Sequence, residues 1–230
     1  MTGGLFLTIS SLTGCGGTSP FRAIERAIRD KLPSLLGPAD RYEVAVSRSG
    51  GGLIAGRIPW INIQGRNVRA IEGLTLDDLD VRLEDVHFSR TSRTVQEIGL
   101  TRFEAHLSAA SVVSYLHARS PSLRDARVSF SQGAVQVHAA PSLLGIGVPM
   151  DIEGRPVLRG TTTIDFAASR VAVLRLGLPA FAVRRLESRI NPLVDLSTMP
   201  LPLHLTAVQI EGDRAVITGT ASLDPARLRR

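Results

Sequence analysis

The stretch Leu74-Thr75-Leu76-Asp77-Asp78-Leu79-Asp80-Val81-Arg82-Leu83-Glu84-Asp85-Val86 decides how the chain is read. Leu74 and Leu76 alternate with polar residues, and so do Leu79, Val81 and Leu83. A period of two marks a half-buried strand, whereas a helix repeats its apolar positions every three or four residues. The alternation slips by one at Asp77-Asp78, which predicts a bulge inside one long strand that ends near Val86.

The same period extends on both sides. Upstream, Tyr42, Val44 and Val46 alternate, Gly50-Gly51-Gly52 makes a turn, and Ile58, Trp60, Ile61 and Ile63 form another extended run. Downstream, Ile98 to Leu107 reads as a strand, and Arg127–Phe130 pairs with Ala134–His138 across Ser131-Gln132-Gly133. Ile146–Leu158 pairs with Thr161–Phe166 across Arg159-Gly160, and Ala168-Ser169 turns the chain into Arg170–Leu176. Leu203–Ile210 and Ala215–Gly219 make a last hairpin.

Three segments break this pattern with helical spacing. Phe21, Ile24, Ile28, Leu32 and Leu35 form one stripe, with Arg22, Arg26 and Arg29 opposite. Ser19 can cap this helix, Pro20 suits its first turn, Pro33 predicts a kink or break, and Gly37-Pro38 ends it. Ala109–Ala118 is a short helix with Val112, Val113 and Leu116 on one side. Pro179 opens a third, through Phe181, Val183, Leu186 and Ile190, which Asn191-Pro192 stops. The order is α+β, unlike the alternating strand–helix order of a nucleotide-binding sheet. A long curved antiparallel sheet with few helices leaves a greasy interior that suits a lipid chain.

Composition narrows the function classes. Hydrophobic residues make up 43% of the 230, enough for a real core, while aromatics are only 4%, so Leu, Val, Ile and Ala must fill it. The net charge of +6 suits an anionic partner such as an acidic membrane surface. The basic residues are nevertheless spread along the chain, and only Arg227-Leu228-Arg229-Arg230 is dense. Few aromatic platforms argue against nucleic acid. The single cysteine excludes an internal disulfide and a thiolate metal cluster. No run of about 20 apolar residues is present to span a membrane as a helix.

That cysteine has a telling position. Leu5-Phe6-Leu7-Thr8-Ile9 is a short apolar core followed by small residues, as in a secretory signal. Leu12-Thr13-Gly14-Cys15 resembles the bacterial lipobox, whose cysteine is lipidated and becomes the new N-terminus. No Lys or Arg precedes Cys15 and the apolar run is short, which departs from that pattern, so a free thiol in an N-terminal tail is the other reading. On the lipobox reading the chain divides into a signal segment 1–15, a flexible tether 16–20, one domain 21–223 and a basic tail 224–230.

Several motifs in order resemble the bacterial LmeA-like phospholipid-binding family. They are Gly56-Arg57-Ile58, Gly73-Leu74-Thr75-Leu76-Asp77-Asp78-Leu79-Asp80-Val81, Gly133-Ala134-Val135-Gln136-Val137 and Ile146-Gly147-Val148-Pro149-Met150. Met199-Pro200-Leu201-Pro202-Leu203 and the hairpin from Leu205 to Gly219 complete the set, so the likeness spans roughly Phe21 to Leu223. The resemblance implies a strongly curved antiparallel sheet wrapped around a long amphipathic helix. That arrangement is similar to the tubular lipid-binding fold of bactericidal permeability-increasing proteins. It also implies an envelope location and lipid binding, with no catalytic residues attached.

The residues that could carry chemistry fit this reading. Gly51 to Gly56 lacks the Lys-Ser/Thr of a phosphate loop, and no Gly-x-Ser-x-Gly elbow occurs. His87, His106, His117, His138 and His204 are scattered, so no metal ligand set and no cofactor are expected. Asp77, Asp78, Asp80 and Asp85 cluster; Asp78 and Asp80 share a strand face and form either an acid/base or cation pair or a solvated outer face. Leu53, Ile54 and Trp60 form a membrane-contact loop tip, or Trp60 is a core residue. Ser142-Leu143-Leu144-Gly145-Ile146 has the same two readings. The expected cavity lining is Ile24, Ile28, Leu32, Val112, Leu116, Phe181, Leu186 and Ile190, with Arg57, Arg184 and Arg185 for an anionic head group. The expected function is non-enzymatic binding or transfer of a phospholipid or other acyl lipid, supporting envelope lipid or glycolipid assembly, by an exported protein anchored through Cys15. An envelope scaffold without lipid, or an enzyme acting on envelope lipids, are the alternatives.

Overall fold

The computed structural model describes residues 20–48, 56–89, 94–119, 125–131, 133–140, 142–143, 146–173, 176–197, 199 and 201–222. In chain order the elements are α1 (Pro20–Leu36), β1 (Arg41–Val46), β2 (Arg57–Ile71), β3 (Leu74–Ser89), β4 (Thr94–Ser108), α2 (Ala109–Arg119), β5 (Arg127–Ser131) and β6 (Ala134–Ala139). They continue with β7 (Ser142–Leu143), β8 (Ile146–Gly147), β9 (Met150–Arg159), β10 (Thr163–Val173), β11 (Leu176–Gly177), α3 (Ala180–Ile190), β12 (Val194–Asp195), β13 (Leu203–Glu211) and β14 (Arg214–Ala221). Cys15, tether residues 16–19, Leu53, Ile54 and the basic tail lie outside the described residues, while Pro20, expected to end the tether, opens α1.

The strands are antiparallel and divide between two main sheets rather than forming one. The first has the order β1-β2-β3-β4-β14-β13, and the second β11-β10-β9-β6-β5 with β12 also on β10; β7 and β8 pair by themselves. The long helix expected inside the sheet is not seen. The helices have 17, 11 and 11 residues. The fold class is α+β, dominated by antiparallel sheet.

Register explains the core of the first sheet. Three rows of side chains cross β1, β2, β3, β4 and β14 on one face. Tyr42, Gly65, Leu79, Ala105 and Ile217 make one row. Val44, Ile63, Val81, Phe103 and Gly219 make the second, and Val46, Ile61, Leu83, Thr101 and Ala221 the third. Two of these rows hold a glycine opposite a ring. A Cβ on Gly65 would lie 2.9 Å from the Tyr42 ring, and one on Gly219 would lie 2.6 Å from the Phe103 ring. Each ring therefore takes the space that a side chain at the facing glycine would need.

The inward set changes parity twice along β3. It passes from Leu74 and Leu76 to Leu79, Val81 and Leu83 at Asp77-Asp78, and then to Val86 across Asp85. At the first slip Asn67, opposite on β2, has φ 51°, and at the second Asp85 itself has φ 52°. Asp and Asn tolerate this left-handed backbone better than most residues. The first slip also turns the Asp77 carboxylate toward the next corner. It accepts from Ser108 N–H (2.5 Å), Ser108 Oγ (3.0 Å) and Ser111 Oγ (3.0 Å). Ser108 in turn caps α2 by accepting from Ser111 N–H at 3.3 Å.

Several local expectations are corrected. α1 runs through Pro33 without a break, because Leu35 and Leu36 hold its last turn against the sheet and the lost bond lies near the helix end. Ala168-Ser169 is a bulge inside β10, not a turn. Residues 146–147 pair only with β7, and the long strand starts at Met150. On α2 the buried positions are Ser111 and Tyr115, with Val112 packed beside them and Val113 and Leu116 half-buried. Ser111 is drawn in by Asp77, and Tyr115 by a backbone carbonyl described below.

Tyr42 anchors α1 to the sheet. Its hydroxyl donates to Gly37 C=O at 2.7 Å, and burial pushes its pKa up to about 12. The unfolded chain releases this proton near pH ~10. Stability from the neutral ring is therefore complete below pH ~10 and is lost as pH rises toward 12. A pH titration followed by phenolate absorbance should show a late phase near 12 that disappears in Tyr42→Phe. Loss of a single phase at the ordinary tyrosine value would contradict the burial argument.

A candidate lipid cavity in the first sheet

The apolar face of the first sheet is covered but not filled. α1 lies along β1, tied there by Glu25, which accepts Val46 N–H at 3.3 Å, and by buried Leu32. Its stripe presents Ile24, Ile28, Leu32, Leu35 and Leu36 to the sheet. Between helix and sheet is a cavity of about 210 Å³. Its floor is built from β2 (Ile58, Ile61, Ile63), β3 (Leu79, Val81, Leu83) and β4 (Ile98, Thr101, Phe103). Its far wall is the segment carrying Val194, Leu196, Met199 and Leu201.

That wall is held from behind by α2. Tyr115 Oη donates to Leu193 C=O at 2.8 Å, and Arg119 Nη1 donates to the carbonyls of Pro192 (3.0 Å) and Leu193 (2.5 Å). The turn between β9 and β10 holds it from the other side. Leu196 N–H donates to Thr162 C=O at 2.9 Å, and Leu205 N–H to Thr161 C=O at 2.7 Å. The second sheet thus braces the wall rather than packing face to face on the first.

Among the described residues, every one that lines the cavity is apolar except Thr101. Thr101 is 3% exposed, and its hydroxyl has no hydrogen-bond partner among the described residues. Water gains little in such a space, because it needs two to four polar partners to stay. An apolar cavity of about 150 Å³ stays dry and takes up benzene, whereas drug-sized ligands occupy roughly 300–1,000 Å³. The present volume accommodates one apolar chain segment. A second hollow of about 580 Å³ on the second sheet is of mixed character, with Arg127, His138, Asp151, Glu153 and Arg170 beside Val128, Val137 and Ile152.

The expected lining residues are only partly brought together. Ile24, Ile28 and Leu32 line the cavity. Val112 and Leu116 sit on α2 behind the wall, and Ile190 ends α3; none of the three is among the lining residues. Phe181 is 68% exposed, so its placement in a cavity is corrected: α3 packs on β10 of the second sheet, away from the hollow. The Leu186 side chain lies outside the described ones. Sequence reasoning missed the wall at Val194–Leu201, although Leu196, Met199 and Leu201 already formed an apolar run between prolines with no strand period to explain it.

The polar candidates are engaged elsewhere. Asp78 pairs with Arg66 at 2.6 Å, and Asp80 accepts from Gln64 at 2.8 Å, both on the outer face. Asp85 pairs with Arg57 at 2.5 Å, and that hydrogen bond, followed by the charge, holds the Asp85 carboxyl below its usual range. Arg184 and Arg185 are exposed on α3 and do not line the cavity. Trp60 stands inside β2, half-buried on the outer face, with the Arg82 guanidinium 5.6 Å above its ring. It is neither at a loop tip nor in the core. Among the described residues no group of three metal-binding side chains occurs, and no helix is long and apolar enough to cross a membrane.

Two substitutions test this construction. Thr101→Val replaces an unpartnered buried hydroxyl by a methyl of the same shape and should stabilise the protein by about 1 kcal/mol in urea denaturation. Tyr115→Phe removes the bond that fixes the wall and should destabilise it by a similar amount, about 1 kcal/mol. A neutral Tyr115→Phe would show that the wall is held by other contacts.

No curated protein and no solved structure matches the chain. The family model of LmeA-like phospholipid-binding proteins matches residues 22–220, from the start of α1 to the end of β14, and so takes in both the cavity and its bracing. The chain belongs to the LmeA-like phospholipid-binding family.

Proposed function

We propose that this protein binds an acyl lipid in the first-sheet cavity and acts without catalysis, carrying or presenting lipid in the bacterial envelope. The observation that carries this reading is a cavity whose lining is apolar apart from one threonine. Each methylene moved from water into it contributes about 0.8 kcal/mol, and no polar group inside opposes this except the Thr101 hydroxyl. The volume of about 210 Å³ is small for two full chains. Binding a phospholipid therefore spreads α1 from the sheet. α1 is the cover with the fewest ties, its stripe being half-buried except at Leu32.

Arg57 opens β2 beside the lining residue Ile58 and serves as the head-group contact, exchanging Asp85 for a lipid phosphate. The engagement of Asp77, Asp78, Asp80 and Asp85 in fixed pairs supports the non-enzymatic reading, since none is left as a free acid/base pair. Export, lipidation at Cys15 and a tether to the membrane complete the proposal, as do a single domain over 21–223 and a tubular lipid-binding architecture. A part in envelope lipid or glycolipid assembly follows from holding such chains away from water.

Native mass spectrometry of detergent-free protein should show a co-purified phospholipid. Ile28→Asp places a carboxylate on the cavity side of α1 and should lower lipid occupancy at least tenfold while the sheet remains folded by circular dichroism. An empty, monodisperse wild-type protein that also fails to take up added phospholipid would remove the proposal.

A further inference from the structure

Leu176 and Phe181 are the most exposed large apolar side chains among the described residues, at 73% and 68%. They bracket one corner. Leu176 begins β11 at the edge of the second sheet, and Phe181 lies in the first turn of α3. The corner between them is held rigid by backbone bonds from Leu178 N–H to Val171 C=O (2.8 Å) and from Ala182 N–H to Pro179 C=O (2.9 Å).

The inward side of α3 is settled by its hydrogen bonds. Asn191, at its end, donates to Phe166 C=O at 3.0 Å and accepts from Phe166 N–H at 2.7 Å. Glu187 accepts from Ala168 N–H at 2.7 Å. These side chains occupy the stretch of β10 between its pairings with β12 and β11. The outward side carries Phe181, and then Arg184 and Arg185 at the three- and four-residue spacings that place them one turn further along the same side. Both arginines are exposed, and neither guanidinium has an ion-pair or hydrogen-bond partner among the described residues; Arg185 is engaged only through its carbonyl, which accepts from Ser188 Oγ at 2.9 Å. The one acid of this helix, Glu187, is the group turned inward.

An apolar tip in water and two uncompensated cations one turn away call for a partner that is greasy at one depth and anionic at the next. A helical turn rises about 5.4 Å. Interfacial elements sink about 5–10 Å into the boundary between head groups and acyl chains, with arginine reaching back to the phosphates. We propose that the β11–α3 corner is a docking surface for an anionic lipid bilayer. Leu176 and Phe181 enter the acyl boundary, and Arg184 and Arg185 meet the head-group phosphates. The proposal shares its lipid setting with the function proposed above but uses a surface separate from the cavity.

The test uses the full chain with Cys15→Ser, so that no acyl anchor masks the effect, and flotation on vesicles of phosphatidylcholine with or without phosphatidylglycerol. The protein should float with the anionic vesicles and at least tenfold less with the neutral ones. Phe181→Ser and the double variant Arg184→Glu/Arg185→Glu should each reduce flotation at least tenfold, with unchanged thermal melting and unchanged lipid content by native mass spectrometry. Wild-type flotation in both variants, or equal flotation on neutral vesicles, would overturn the proposal. So would a Phe181-dependent dimer by light scattering, which would assign the corner to a second copy of the chain. Because lipid content and flotation are read separately, an empty cavity with Phe181-dependent flotation would sink the cavity reading alone.

Discussion

The structure depends on one constraint: three cross-strand rows of apolar side chains in the first sheet must be kept from water. A sheet of this width usually meets a second sheet whose side chains interdigitate with it. Here the second sheet adds Leu158 and Ile164 to the same core and braces its edge, and the cover consists of one amphipathic helix and the segment that runs on from β12. A single helical stripe is narrower than three rows. The cover excludes water along its edges and leaves the middle empty, and the empty middle is the candidate site.

Polar groups position that cover rather than line the site. Asp77 ties the end of β4 to the start of α2, and α2 then reaches with Tyr115 and Arg119 to carbonyls of the wall. Asn191 and Glu187 bind α3 to the backbone of β10, beside the wall that follows it in the chain. Buried polar groups are stabilising only when paired. By satisfying one another at the periphery, they leave the cavity free of any group that would hold water. Thr101 is the exception among the described lining residues, and its hydroxyl has no hydrogen-bond partner among them.

The two glycine–aromatic contacts show how space is managed. The Tyr42 and Phe103 rings occupy the space that a side chain at Gly65 and Gly219 would take. With aromatics at 4% of the chain, most inward positions are branched aliphatics too short to cross from sheet to helix. Low aromatic content thus helps to keep the interior open.

Much of this was legible before any coordinates. The strand period at Leu74–Val86, its slip at Asp77-Asp78 and the stripe of α1 all follow from local spacing. They hold because alternation and helical repeat are properties of neighbouring residues. The partition of strands into two sheets was not legible, since the same period serves either sheet. Nor was the true place of Phe181. Its spacing marks an amphipathic helix, but spacing does not say which side the sheet needs, and the amide of Asn191 and the carboxylate of Glu187 made that choice. The sequence by itself determined which residues alternate and which helices form, because these are decided within a few residues. Only the tertiary structure decided that α1 and the Val194–Leu201 segment would be the cover and that α3 would turn Phe181, Arg184 and Arg185 to solvent, because those outcomes rest on pairings between residues far apart in the chain.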